Sequence, residues 1–191
     1  MGQRWIRWAM YQKLRPIVSN FETPSKCLLL GGGSKLTHVM PKGIETLVTC
    51  LHPGRSQAMK VDAEDTPFDD NQWDYVISDQ MLEHVRKPWK AVGEMHRIVK
   101  PGGVVICTTC SYNPVHRCPI DCYRFMPDGM RALFEDFSSV QVGTWGDRDA
   151  IMYDVETGGN ARGNYPKERM EKAIRANARR FPWSIWAVAT K

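Results

Sequence analysis

No apolar run in this chain approaches the ~20 residues that span a bilayer; the longest, CLLL at 27–30 and GGVVIC at 102–107, are strand-sized. The opening stretch MGQRWIRWAMYQKLRP sets Arg and Lys among its apolar residues, which is not the pattern of a signal peptide. Cysteine is sparse as well. Six in 191 residues do not make a disulfide scaffold, so reduced thiols and a cytoplasmic setting are expected. There is no internal repeat, low-complexity tract or linker, and the formal charge of +5 is too modest to signal nucleic-acid binding by itself. With 42% hydrophobic and 25% charged residues, the composition suits one globular domain that buries roughly 70% of its unfolded surface.

What is present alternates between two periodicities. Residues 3–19 carry apolar side chains at near-helical spacing, with Pro16 limiting the C-terminal end. Strands are expected at Cys27–Leu30, Ile44–Leu51, Trp73–Ser78, Val104–Thr108, 138–144 and Ser184–Thr190, with helices from Pro88 to the residues before Pro101, at 127–136 and at 166–180. The stretch after 144 reads as a loop rich in Gly and Asp. Strands separated by helices imply an α/β, doubly wound, mostly parallel sheet with ligands at the carboxyl ends of its strands.

The segment VDAEDTPFDDNQWDYVISDQMLEHVRKPWKAVGEMHRIVKPGG, residues 61–103, resembles the class I S-adenosylmethionine-dependent methyltransferases of the small-molecule and sugar type. An Asp, a short acidic loop and Pro-Phe, a strand, Leu-Glu-His-Val, and a helix closed by Lys-Pro-Gly-Gly follow one another in that family's order. The resemblance runs from about Cys27 to Phe134, and SIWAVATK looks like the family's last strand. It implies a Rossmann-like fold over residues 1–191, with an N-terminal helix at 1–20, a cofactor-binding core at 24–144, and a C-terminal helix and last strand at 145–191.

The donor in such enzymes is a sulfonium whose methyl is attacked in line, so the protein must position it firmly. Gly31, Gly32 and Gly33 clear side chains from the backbone beside the adenosyl group, and a helix starting after Ser34 would offer N–H groups to the methionine carboxylate. The resemblance places Asp62 and Ala63 at the adenine edge, and Ser78 and Asp79 beside the methionyl part. Two family acids are missing. Leu29 stands two residues before the first glycine, and Cys50 ends the second strand where a ribose-binding acid is usual. Each loss removes a charge-assisted hydrogen bond of about 1.5–3 kcal/mol. A second reading therefore stays open: a catalytically inactive methyltransferase-fold protein acting as a structural or interaction module.

The acceptor side is read in CSYNPVHRCPIDCYRFMPDGM, residues 110–130, which resembles the loop of polysaccharide-associated family members. His116 has the pKa for a general base, Asp121 can orient it, and Arg124 can pair with an anionic substrate. Asp121 and Arg124, three apart, equally suit an ion pair that only ties the loop. Glu83 and His84 read more plainly as capping and packing residues. Cys110, His116, Cys118 and Cys122 form an alternative zinc set, while Cys107 points away from it on an extended strand; no metal site is assigned. The acceptor expected is a small molecule or glycan. Neither an Asn/Asp-Pro-Pro-aromatic stretch nor a Pro-Cys dipeptide favours nucleic acid. The basic, Trp-bearing N-terminal helix (Arg4, Arg7, Lys13, Arg15, Trp5, Trp8) and the basic helix 166–180 are candidate surfaces for a protein partner or a second copy.

Overall fold

A computed structural model describes residues 5–54, 56–117, 119–158, 168 and 180–191. The chain runs α1 (Trp5–Ser19), β1 (Ser25–Leu30), β2 (Ile44–Cys50), β3 (Met59–Lys60), β4 (Trp73–Asp79), α2 (Pro88–Ile98), β5 (Val99–Cys110), α3 (Pro127–Leu133), β6 (Ser139–Trp145), α4 (Arg148–Glu156) and β7 (Ser184–Thr190). Short 3₁₀ turns at Lys35–Val39 and Leu82–His84 follow β1 and β4.

The seven strands form one sheet in the order β3-β2-β1-β4-β5-β7-β6. β1 to β5 are parallel, and β7 runs antiparallel between β5 and β6. The chain moves outward from β1 through β2 to β3, then restarts on the other side of β1 with β4. The order therefore reverses between β1 and β4, and the carboxyl ends of these two strands frame the crevice where doubly wound sheets bind ligands.

Strand alternation builds two cores. Leu28 and Leu30 face the side covered by Ala91, Val92, Met95 and Ile98 of α2 and by Met130 of α3 with Phe134. Cys27 and Leu29 face the other side, under Met10, Tyr11, Leu14 and Val18 of α1. Each aliphatic side chain so buried contributes roughly 1.5–3 kcal/mol. Pro88 occupies the first turn of α2, where its missing N–H costs nothing.

Several elements depart from the sequence reading: the two-residue β3 has no counterpart in it, and α3 ends at Leu133 and not at 136. β5 starts at Val99, five residues early, because Pro101-Gly102-Gly103 is absorbed in a register shift opposite Trp73 and Tyr75, with Gly102 at φ +77°. A Cβ on Gly103 would lie 2.7 Å from the Asp74 carbonyl oxygen, so only glycine lets the strands close there. The supposed loop after β6 contains α4, capped by Asp147, whose Oδ1 accepts from Ala150 N at 2.8 Å. The helix expected after Ser34 is a five-residue 3₁₀ turn. The expected helix 166–180 lies outside the described residues apart from residues 168 and 180. Among the described residues, no helix is long and apolar enough to cross a membrane.

Candidate active site

At the end of β1 the chain turns on Gly31 (φ +92°) and Gly32 (φ +129°), conformations that side chains resist. Gly31 N donates to Thr49 O at 3.0 Å, which ties the bend to β2. A Cβ at Gly31 would sit 2.5 Å from Cγ and Sδ of Met81, whereas nothing lies within 4 Å of one at Gly32 or Gly33. The bend is thus packed from below and open above. Ser78, fully buried, supports this packing by directing Oγ at Met81 Sδ, 3.8 Å away.

One carboxylate organises the corner. Asp79 Oδ2 accepts from Tyr11 Oη at 2.5 Å and from Ser34 Oγ at 2.7 Å, and its Oδ1 accepts from Thr108 Oγ1 at 2.6 Å. These donors come from α1, the glycine bend and β5. All are neutral hydroxyls, and among the described residues no Lys, Arg or His bridges Asp79. Sequence reasoning placed Asp79 here but had no means of finding Tyr11, 68 residues away.

The sites of the missing acids are now visible. Leu29 is 2% exposed and packs beneath α1, so it does not plug the open side of the bend. Cys50 is half-buried at the end of β2 and accepts from Val61 N through its carbonyl at 3.1 Å. Asp62 is exposed and closes a tight turn, with Oδ1 accepting from Glu64 N at 2.9 Å; Ala63 beside it is buried. The anion seat expected at the start of a helix after Ser34 is not formed. The 3₁₀ turn is too short, and Leu36 N is already taken by Ser34 Oγ at 3.2 Å.

The loop after β5 is pinned against the other side of β4. Cys122 N donates to Glu83 O at 2.8 Å and Phe125 N to Cys110 O at 3.0 Å. Asp121, whose side chain is 3% exposed, receives Arg124 Nη1 at 2.5 Å and Nη2 at 2.8 Å. Arg124 also donates to the carbonyls of Asn113, Pro114 and Tyr123. The guanidinium holds the Asp121 carboxyl well below the usual carboxylate range. Asp121 bonds the backbone N of His116 at 2.8 Å but stands 3.5 Å from its imidazole, so it fixes the loop more directly than the ring.

His116 meets His84 edge to face, ring centroids 5.0 Å apart. His84 Nδ1 lies 2.5 Å from Ile120 O, and Glu83 is 1% exposed with Oε2 accepting from Thr109 Oγ1 at 2.8 Å. Burial pushes the Glu83 carboxyl up, against the pull of its hydrogen bonds and the two imidazoles. Read from sequence as capping and packing residues, Glu83 and His84 instead meet His116 at the strand ends. The only local hint was an adjacent acid and histidine in an otherwise apolar segment. The alternative zinc set does not form among the described residues: Cys110 is buried, its thiol pushed up to about 12 by desolvation, and Cys122 is exposed. Cys118 lies outside the described residues.

Residues 37–107 match a family described as a methyltransferase domain. Demethylmenaquinone methyltransferase of Staphylococcus epidermidis is 46% identical over 55 residues, 29% of this chain and 23% of that protein. The match thus spans under a quarter of the length of this curated relative. A methyltransferase from Archaeoglobus fulgidus, described as SAM dependent, superposes with a TM-score of 0.63 at 16% identity, covering 97% of this chain and 94% of the other. A chain from the Haloferax volcanii complex with the Trm112 methyltransferase activator gives 0.63 at 20% identity over 96% and 89%. The fold is that of a class I methyltransferase.

The cofactor that goes with this methyltransferase fold is S-adenosylmethionine, and the glycine corner suits it in two respects. The open side of Gly32 and Gly33 leaves room for a ligand against bare backbone. Asp79 receives three hydroxyls and, among the described residues, no ion pair, so its carboxylate fits a cationic methionyl group.

Proposed function

We propose that this chain, folded as one methyltransferase-like unit over residues 1–191, transfers a methyl group from S-adenosylmethionine to an oxygen or nitrogen of a small molecule or glycan. The observation that carries the reading is the juxtaposition at β4. Asp79 and the open glycine bend lie on one side of its carboxyl end, and the Glu83, His84 and His116 cluster lies on the other. Gly31 to Gly33 and Asp79 hold the methionyl part, Asp62 and Ala63 border the adenine, and Ser78 acts from beneath through Met81. When bound, the cofactor supplies an electrophilic methyl on a positively charged sulfur. His116 takes the acceptor's proton, and Asp121 and Arg124 hold the loop that carries it; the Arg124 guanidinium, expected from the sequence to pair with an anionic substrate, is instead engaged by Asp121 and by backbone carbonyls.

Titration with S-adenosylmethionine or its demethylated product tests the reading. Micromolar binding is expected. His116→Ala should abolish turnover while leaving cofactor affinity within a few-fold.

The lack of an acid at Leu29 and Cys50 favours a second reading, an inactive fold serving as an interaction module. The Haloferax volcanii chain solved with its activator offers a precedent for a protein partner. No heat at millimolar cofactor would select this reading. The match to the demethylmenaquinone methyltransferase covers 29% of this chain and carries no argument about the acceptor.

A further inference from the structure

We propose that Glu83, His84 and His116 form a binding site for one divalent transition-metal ion of the zinc class at the carboxyl ends of β4 and β5. Each residue offers one ligand atom, and the three atoms lie within 4.8 Å of one another. Glu83 Oε1 is 4.0 Å from His84 Nε2. Tetrahedral coordination at ~2.0–2.1 Å requires ligand atoms ~3.4 Å apart, so no pair has to close by more than about 1.4 Å.

The surroundings prepare these atoms for a cation. Ile120 O lies 2.5 Å from His84 Nδ1 and Pro114 O lies 3.1 Å from His116 Nδ1. Backbone carbonyls accept only, so each imidazole carries its proton on Nδ1 and leaves the Nε2 lone pair for a metal. Thr109 Oγ1 orients Glu83 by binding Oε2, leaving Oε1 on the histidine side. Asn113 Nδ2 stands 3.2 and 3.3 Å from the two nitrogens of His116, and this amide swings aside when Nε2 binds metal. Among the described residues the almost fully buried Glu83 carboxyl has no ion pair closer than the His84 imidazole at 4.0 Å, and a divalent ion supplies a positive charge beside it.

Two imidazoles and one carboxylate leave coordination positions open, as in sites where the metal also binds a substrate oxygen. Its role toward a methyl acceptor rests on the methyltransferase reading above; its existence does not. In the metal-loaded protein the lone pair of His116 is committed to the ion. An acceptor hydroxyl bound there is acidified and releases its proton to solvent. His116 serves as a base only in the metal-free protein.

The test needs neither cofactor nor acceptor, so it stands or falls separately from the cofactor titration. The full chain, stripped with chelator, is titrated with Zn²⁺ under reducing conditions, and with Co²⁺ for its visible absorption. One equivalent per chain is expected. His116→Ala, at a partly exposed position, and Glu83→Gln, which keeps the shape of the buried side chain, should each weaken binding by roughly 100-fold or more with unchanged circular dichroism. Cys122→Ser should bind like the parent. Zinc well below one equivalent in the parent, undiminished affinity in His116→Ala, or loss of binding in Cys122→Ser would each overturn the proposal. If Glu83→Gln does not fold, the His116→Ala result decides alone.

Discussion

At the ends of β1 and β4 a single carboxylate, Asp79, gathers hydroxyls from α1, the glycine bend and β5. Across β4, in the loop after β5, Asp121 meets the guanidinium of Arg124 face on, and Arg124 spends its remaining donors on backbone carbonyls. The first carboxylate is hydrogen-bonded by neutral groups, with no ion pair among the described residues. The second has its charge cancelled within the loop it shapes. Hydrogen bonding alone thus leaves a corner suited to a cationic ligand, while ion pairing fixes the geometry of the loop after β5, beside which Glu83, His84 and His116 meet.

The strongest way to break this contrast is to put an acid back on β1. Leu29→Asp would bury a charge beneath α1 with no partner, and a loss of about 3–5 kcal/mol is expected in urea unfolding. A loss under about 1 kcal/mol would mean that α1 does not seal that position. Arg124→Ala comes next. It strands Asp121 in a nearly dry site, and since the guanidinium is partly exposed the expected cost is about 2–3 kcal/mol, read as a lower Tm and faster proteolysis within residues 111–125. Unchanged proteolysis would show that the ion pair does not shape the loop.

Tyr11→Phe probes the corner more gently. Removing one of three hydroxyls from Asp79 should cost about 1 kcal/mol and leave the loop's proteolysis untouched. The smallest effect is in acid. The Asp121 carboxyl ionises more readily in the folded loop than in the unfolded chain, where its pKa is about 3.9. Its contribution is therefore complete above about pH 4 and fades as pH falls through the lower folded value. Loop proteolysis by an acid protease should rise only below that window in the parent, and Asp121→Asn should remove the step.

Much of the fold was legible because it rests on local patterns. β7 begins and ends where its apolar run does, at Ser184 and Thr190, and Pro88 marks the start of α2. Asp147 could have announced α4, since an N-cap acid before Ala-Ile-Met-Tyr is a start signal; the neighbouring glycine and aspartates obscured it. The site was legible only in outline. Gly31 to Gly33, Asp79 and His116 stood out by residue type or resemblance, but their partners Tyr11, Thr108, Thr109 and Ile120 lie far along the chain or are backbone groups without a sequence signature.

By itself the sequence determined which segments could be strands and helices, the glycine turn after the first strand, and the missing acids at Leu29 and Cys50, because periodicity and backbone freedom are properties of neighbouring residues. Only the tertiary structure decided that Leu29 faces α1, that Asp79 is held by three hydroxyls, and that Glu83 and His84 meet His116. These depend on sheet order and on where a loop folds back, and contacts between residues distant along the chain are set by packing of the whole chain.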